Sequence, residues 1–206
     1  KLTMGFAHRC CITPLRGYRL IVYCNYIHPT PLISLIFKTS IKMNDIKIVN
    51  KSIELADSFR DALDSVSRER MWLAFTEAPS YEHMRKFVAG LIRDNDIQVY
   101  AVLGDTVVGW CDITRGKRDT YSHTGLLGMG IIKPHRGKGL GEEMLKECIM
   151  QAKQNGIEKV CLQVYSHNTA GIKLYEKLGF QHEGKKLKEA KIDGKYFDVV
   201  TMGLLL

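Results

Sequence analysis

The segment Arg136-Gly137-Lys138-Gly139-Leu140-Gly141 holds residue types and a spacing suited to chemistry. An apolar run, Leu126 to Ile132, precedes it. The segment Glu142 to Ala152 follows, with Met144, Leu145, Cys148, Ile149 and Ala152 at helical spacing. The turn therefore joins a strand to a helix. Three glycines permit tight bending and leave backbone N–H groups uncovered. The first turn of the helix adds unpaired donors and the positive end of its dipole. Such a corner favours a phosphate or pyrophosphate. Spacing excludes two common nucleotide motifs. No G-x-x-x-x-G-K-[ST] string occurs, and the position that would complete G-x-G-x-x-G after Gly139-Leu140-Gly141 is not glycine.

A second motif runs from Asn168 to Phe180, Asn168-Thr169-Ala170-Gly171-Ile172-Lys173-Leu174-Tyr175-Glu176-Lys177-Leu178-Gly179-Phe180. Asn168 suits an N-cap and Gly179 a C′ position, which brackets a helix of about ten residues. The strand-like Lys159 to Val164 comes before it. Arg-x-x-Gly-x-Gly, followed some thirty residues later by Asn-x6-Tyr-x-x-x-Gly-Phe, resembles the GCN5-related N-acetyltransferase superfamily, and the resemblance covers roughly Asp45 to the C-terminus.

That resemblance implies a donor and a set of contacts. Backbone N–H groups from Arg136 through Gly137, Lys138, Gly139, Leu140 and Gly141 to Glu142 would hold the pyrophosphate of acetyl-CoA, with Arg136 adding charge or orienting the loop. Met129, Gly130 and Ile131 would lend main-chain groups to the pantetheine arm, in a gap where the Leu126 and Val160 strands splay apart. Gly128 and Gly130 then fit close approach of the cofactor, or alternatively mark a β-bulge. Asn168 would contact the cofactor as well as cap its helix. Tyr175 resembles the family's general acid for the leaving thiolate; its residue-level alternative is a half-buried core tyrosine beside Ile172 and Leu178. Relatives often carry an aromatic residue before the motif arginine, and here His135 stands there, read as facing solvent.

Amine acetylation needs a neutral nucleophile. A lysine-like amine of pKa about 10.4 is neutral only about once in a few thousand molecules at pH 7, so the site must lower that pKa or supply a base. Some relatives that acetylate peptide N-termini place a glutamate where this chain has Gln163, which takes no proton. Glu77 and Asp112 are the candidate bases, with water relays as the alternative. Met71 to Phe75 lies in the segment that lines the acceptor side in relatives, and Trp72 and Trp110 either shape an apolar acceptor pocket or belong to the core. The expected acceptor is a primary amine of a small molecule or amino acid, attacked directly in a ternary complex. The alternatives are a protein N-terminus or lysine, and a domain that binds acyl-CoA without turnover.

The elements that position these residues read as one α/β (α+β) domain. Ile46 to Val49 alternates as a strand, and Ile53 to Val66 reads as a helix. Pro79-Ser80 opens a second helix with Met84, Phe87, Val88, Leu91 and Ile92 on one face. Ile97–Leu103 and Val107–Ile113 form a hairpin through Gly104-Asp105-Thr106, Arg115 to Ser122 is a polar loop, and Asp193-Gly194 closes a second hairpin. Strands followed by helices and closing hairpins suit a mixed, mostly antiparallel sheet of about six to seven strands flanked by about four helices.

The chain has 206 residues and a net charge of +8, yet the charge is unevenly placed. Residues 1–42 hold six basic residues (Lys1, Arg9, Arg16, Arg19, Lys38, Lys42) and no acidic one, so 43–206 are near neutral and make no case for a nucleic-acid partner. Residues 1–42 read as an upstream extension before a natural start at Met43, with 43–206 as the acetyltransferase domain. Leu20 to Phe37 is apolar but broken by Asn25, His28, Pro29 and Pro31, which argues against a membrane span. Cys111, Cys148 and Cys161 stand singly among apolar neighbours, with no C-x-x-C pair for zinc; this suits buried free thiols, a reducing cytoplasm and no metal. The resemblance is compatible with a homodimer.

Overall fold

The structure, a computed structural model, describes residues 45–206. The extension at 1–42 and the boundary at Met43 lie outside the described residues. The strands are β1 (Ile46–Asn50), β2 (Ile97–Leu103), β3 (Thr106–Arg115), β4 (Thr124–Ile131), β5 (Lys159–Tyr165), β6 (Gln181–Ile192) and β7 (Lys195–Leu205); the helices are α1 (Ala56–Ser67), α2 (Tyr81–Arg93), α3 (Leu140–Gln154) and α4 (Thr169–Lys177). All seven strands join one sheet in the order β1-β2-β3-β4-β5-β7-β6. Every neighbouring pair is antiparallel except β4–β5. The mixed, mostly antiparallel sheet read from the sequence is present.

Alternation along β2 separates two cores. Tyr100 and Val102 pack with Phe59, Leu63 and Val66 of α1 and Met84 and Val88 of α2. Val99 and Ala101 point through the opposite face, toward Met144, Leu145 and Cys148 of α3 and Tyr175 of α4. The sheet is thus covered on both sides, with α1 and α2 on one face and α3 and α4 on the other.

Several expected boundaries shift for physical reasons. Helix α1 starts at Ala56, not Ile53, because Lys51 N–H still donates to Gln98 O (2.9 Å) and holds the chain extended beyond β1. Ser80 does cap α2, its Oγ accepting from His83 N–H (3.3 Å), a contact worth about 1 kcal/mol. On the expected apolar face of α2, Met84, Val88 and Leu91 are buried, whereas Phe87 and Ile92 are 36% and 47% exposed. The polar loop after β3 contains a short 3₁₀ turn at Asp119–Tyr121. The final hairpin pairs Gln181–Ile192 with Lys195–Leu205, and its turn puts both Asp193 and Gly194 at positive φ (49° and 78°). No helix among the described residues is long and apolar enough to cross a membrane.

Candidate active site

The glycine turn needs glycine for two different reasons. Gly137 and Gly139 adopt φ of 71° and 84°, where a side chain is disfavoured. A Cβ at either would meet nothing within 4 Å, so conformation sets the requirement there. At Gly141 the constraint is space: a Cβ would stand 3.2 Å from Leu174 Cδ2 and 3.3 Å from Ile131 Cδ1, where α3 closes on α4 and β4. Among the described residues, no backbone acceptor serves the N–H groups from Gly137 to Gly141. With the N-terminus of the 15-residue α3 behind them, these amides make a seat for an anion.

Arg136 is committed elsewhere. Its two terminal nitrogens donate to the Glu69 carboxylate (2.8 and 2.5 Å) and its Nε to Ile131 O (2.7 Å). These are the contacts of a brace that orients the loop, one of the two roles left open for it. The Arg136 guanidinium holds Glu69 below the usual carboxylate range, and Trp72 Nε1 also donates to it (2.7 Å). Glu69 belongs to no motif and lies 67 residues from Arg136 in the chain, so sequence reasoning missed it. Lys138 reaches back to Pro134 O (2.8 Å), and Leu140 is buried in the core, so both turn only backbone toward the seat. Glu142 bridges Lys146 (2.8 Å) and Lys177 (2.6 Å), which lowers its carboxyl to about 2 and ties α3 to α4. His135 corrects the solvent-facing reading. It is buried in the 3₁₀ turn Lys133–His135, and burial lowers its pKa.

The sheet opens beside this turn. Strands β4 and β5 pair only at Thr124↔Lys159, Gly125↔Val160 and Leu126↔Cys161; farther along, β4 continues on β3 and β5 on β7. Met129, Gly130 and Ile131 border the resulting gap. Gly128 and Gly130 mark no bulge, because the β3–β4 register is unbroken from Gly109↔Ile131 to Arg115↔Gly125; the irregularity falls in β2–β3, between Ala101 and Val102. These two glycines make room for β3 side chains instead. A Cβ on Gly130 would lie 2.3 Å from Trp110 Cη2, and one on Gly128 would lie 3.1 and 3.2 Å from the Asp112 carboxylate oxygens. Trp110 and Asp112 therefore lie across β4 on its α1/α2 side.

Asp112 is a carboxyl in an apolar setting. Burial pushes it up to about 7; the Gln98 amide pulls the other way without reaching hydrogen-bond geometry, and Asp96 adds to the rise. Tyr175 approaches from the opposite face. Asn168 caps its helix by accepting from Gly171 N–H (2.9 Å), which aims the first turn of α4 at the gap. Burial raises the Tyr175 phenol, its ring packs 5.7 Å from Phe180, and its hydroxyl has no hydrogen-bond partner among the described residues. Tyr175 is more buried than the half-buried position read from the sequence, yet it still lines the cavity.

The cavity has a volume of about 740 Å³ and passes through the sheet at this gap. Gly137, Gly139 and Asn168 line it, as do Tyr175 and Asp112 and, on the α1/α2 side, Trp72, Phe75 and Phe87. The α1–α2 connection closes that side. Arg70 bonds Asp193 of the last hairpin through two contacts of 2.6 Å, and Tyr165 donates to Leu73 O (3.3 Å). Ala78 N–H and Pro79 O anchor the connection's end to Asp64 and Arg60 of α1. Glu77 is not brought to the site. Its side chain is 73% exposed, 4.0 Å from Arg68, and outside the cavity lining. Of the two candidate bases, only Asp112 faces the gap.

Residues 58–180 match the model of the acetyltransferase (GNAT) family. The chain belongs to this family. Among solved structures, the GNAT-family acetyltransferase from Streptococcus pneumoniae superposes with a TM-score of 0.74 at 31% identity, covering 78% of this chain and 99% of that one. YwnH of Bacillus subtilis, provisionally named a phosphinothricin acetyltransferase, is 29% identical over 141 residues, or 68% of this chain and 86% of YwnH. The L-amino acid N-acetyltransferase AaaT of Escherichia coli is 29% identical over 106 residues, or 51% of this chain and 65% of AaaT. As a GNAT acetyltransferase, the chain has its two quoted motifs at the two elements that flank the opened sheet, α3 and α4.

Proposed function

We propose that this enzyme transfers the acetyl group of acetyl-CoA to a primary amine of a small molecule by direct attack in a ternary complex. The observation that carries this reading is the cavity through the β4–β5 gap, with Tyr175 on one face and Asp112 on the other. The amides from Gly137 to Gly141 receive the pyrophosphate, and the edge of β4 at Met129, Gly130 and Ile131 receives the pantetheine arm. The amine enters from the α1/α2 side and meets Asp112. A carboxyl near 7 is matched to remove an ammonium proton at neutral pH. The nitrogen lone pair then attacks the thioester carbon. As the carbon–sulfur bond breaks, the leaving thiolate takes the Tyr175 proton, which burial has kept on the phenol. The products are an amide and a free thiol: one ammonium proton ends in solvent by way of Asp112, and the second N–H proton, shed as the adduct collapses, restores the Tyr175 phenol.

The test measures thiol release from acetyl-CoA across a panel of amines. Amine-dependent release is expected, and Tyr175→Phe should lower kcat roughly 100-fold, with the KM for acetyl-CoA little changed. Bound acetyl-CoA with no thiol release for any amine would leave a binding domain and sink the proposal.

A further inference from the structure

We infer that the acceptor is a primary monoamine on an aromatic or alkyl body that carries no carboxylate. This rests on the acetyl transfer proposed above and narrows its acceptor; it departs from what the name of AaaT says of that protein.

The charges lining the cavity decide the matter. A substrate carboxylate taken out of water needs a cation or several donors. Among the described residues, two that line the cavity carry basic groups, Arg136 and His83. The Arg136 guanidinium is already spent on Glu69 and Ile131 O. His83 is exposed on the first turn of α2, where solvent screens it. The acidic lining residues are Glu142, held by Lys146 and Lys177 at the glycine turn, and Asp112. Among the described residues, the ammonium at the acceptor end therefore meets one carboxyl and, apart from the solvent-screened His83, no free cation. An α-amino acid would bring its own carboxylate within a few ångströms of Asp112, where like charges repel in a poorly screened site.

The walls agree with the charges. Leu63 and Val66 of α1, Met84 and Phe87 of α2, and Trp72 and Phe75 of the connecting loop surround that end. Phe75 and Phe87 remain 53% and 36% exposed although Met84 and Val88 beside them are fully packed. Large apolar groups left in water at a cavity mouth mark a surface that an apolar ligand covers. A second ammonium, as in a diamine, would lie against these walls without a partner.

Matched probes read this directly on the full chain. Phenethylamine and L-phenylalanine differ only by the carboxylate, L-phenylalaninamide replaces it with a neutral group, and 1,4-diaminobutane adds a second cation. The expected order of kcat/KM is phenethylamine, then the amide, then phenylalanine, with roughly tenfold or more between the first and last. Phenylalanine equal to or better than phenethylamine, or 1,4-diaminobutane better than both, would overturn the inference. Binding of the same probes in the presence of coenzyme A separates the two proposals. Phenethylamine bound more tightly than phenylalanine, with no thiol released, would keep the specificity and sink the transfer. Phe87→Arg places a free cation at the exposed mouth and should move the phenethylamine-to-phenylalanine ratio at least about fivefold toward phenylalanine; an unmoved ratio would place the acceptor elsewhere and overturn the assignment.

Discussion

Replacing Asp112 with Asn should make the protein more stable and less active, and the two effects should divide along the pH axis. In the folded protein the carboxyl is pushed from an ordinary 3.8 up to about 7. Between those values the native state keeps a proton that the unfolded chain has shed. Stability therefore falls as pH rises through this window, and below it the carboxyl costs nothing. Three pKa units correspond to about 4 kcal/mol as an upper bound. The side chain opens in part onto the cavity, and screening there reduces the figure to about 2 kcal/mol. The Asn variant escapes this cost. At pH 8 its Tm should exceed that of the natural chain by roughly 4–8 °C, at about 2–4 °C per kcal/mol for a domain of this size. The difference should shrink toward zero near pH 4. Thermal melts of both proteins at matched pH values measure it. Activity should move the opposite way: kcat/KM of the natural chain rises with pH through about 7, and the variant is lower at pH 7 by roughly 100-fold. A Tm difference that is the same at pH 4 and pH 8 would refute the raised carboxyl. Unchanged kcat/KM at pH 7 would refute its role as base.

Glu69→Gln leaves Arg136 facing a neutral amide in a half-buried setting; a loss of about 1–2 kcal/mol is expected, together with a several-fold higher KM for acetyl-CoA, read by melts and steady-state kinetics. Gly130→Ala drives a Cβ into the rigid, buried Trp110 ring and should cost about 1–3 kcal/mol by thermal denaturation. Gly128→Ala meets only the Asp112 carboxylate at 3.1–3.2 Å, so its Tm should change little while kcat falls, because the carboxylate must shift.

Local signals made most of the framework readable. The turn at Asp193-Gly194, the caps at Ser80 and Asn168, and the glycines at 137 and 139 each answer a demand set within a few residues, and the structure meets each one. Features that depend on distant packing were hidden. Nothing near Glu69 announces its partner at Arg136, because that contact exists only once α1 lies over β4. Gly128 and Gly130 were legible as sites of close approach. What approaches is the neighbouring strand's Asp112 and Trp110, and cross-strand register is a property of the assembled sheet. Phe87 shares a helical face with Met84 and Val88, but α2 lies at the cavity rim, and periodicity carries no information about where a helix face runs out of neighbours.

The short β4–β5 seam has a mechanical consequence. Among the described residues, three register pairs, extended by the Glu158 and Lys159 N–H groups that donate to His123 O, are the backbone stitching between strands β1–β4 and strands β5–β7. In effect two half-sheets are riveted at one corner, and the open side is where the donor's extended arm would lie. A donor held as proposed would work as a removable strut, leaving the protein stiffer when loaded than after product departs. Each turnover would then include the loss and regain of one structural member.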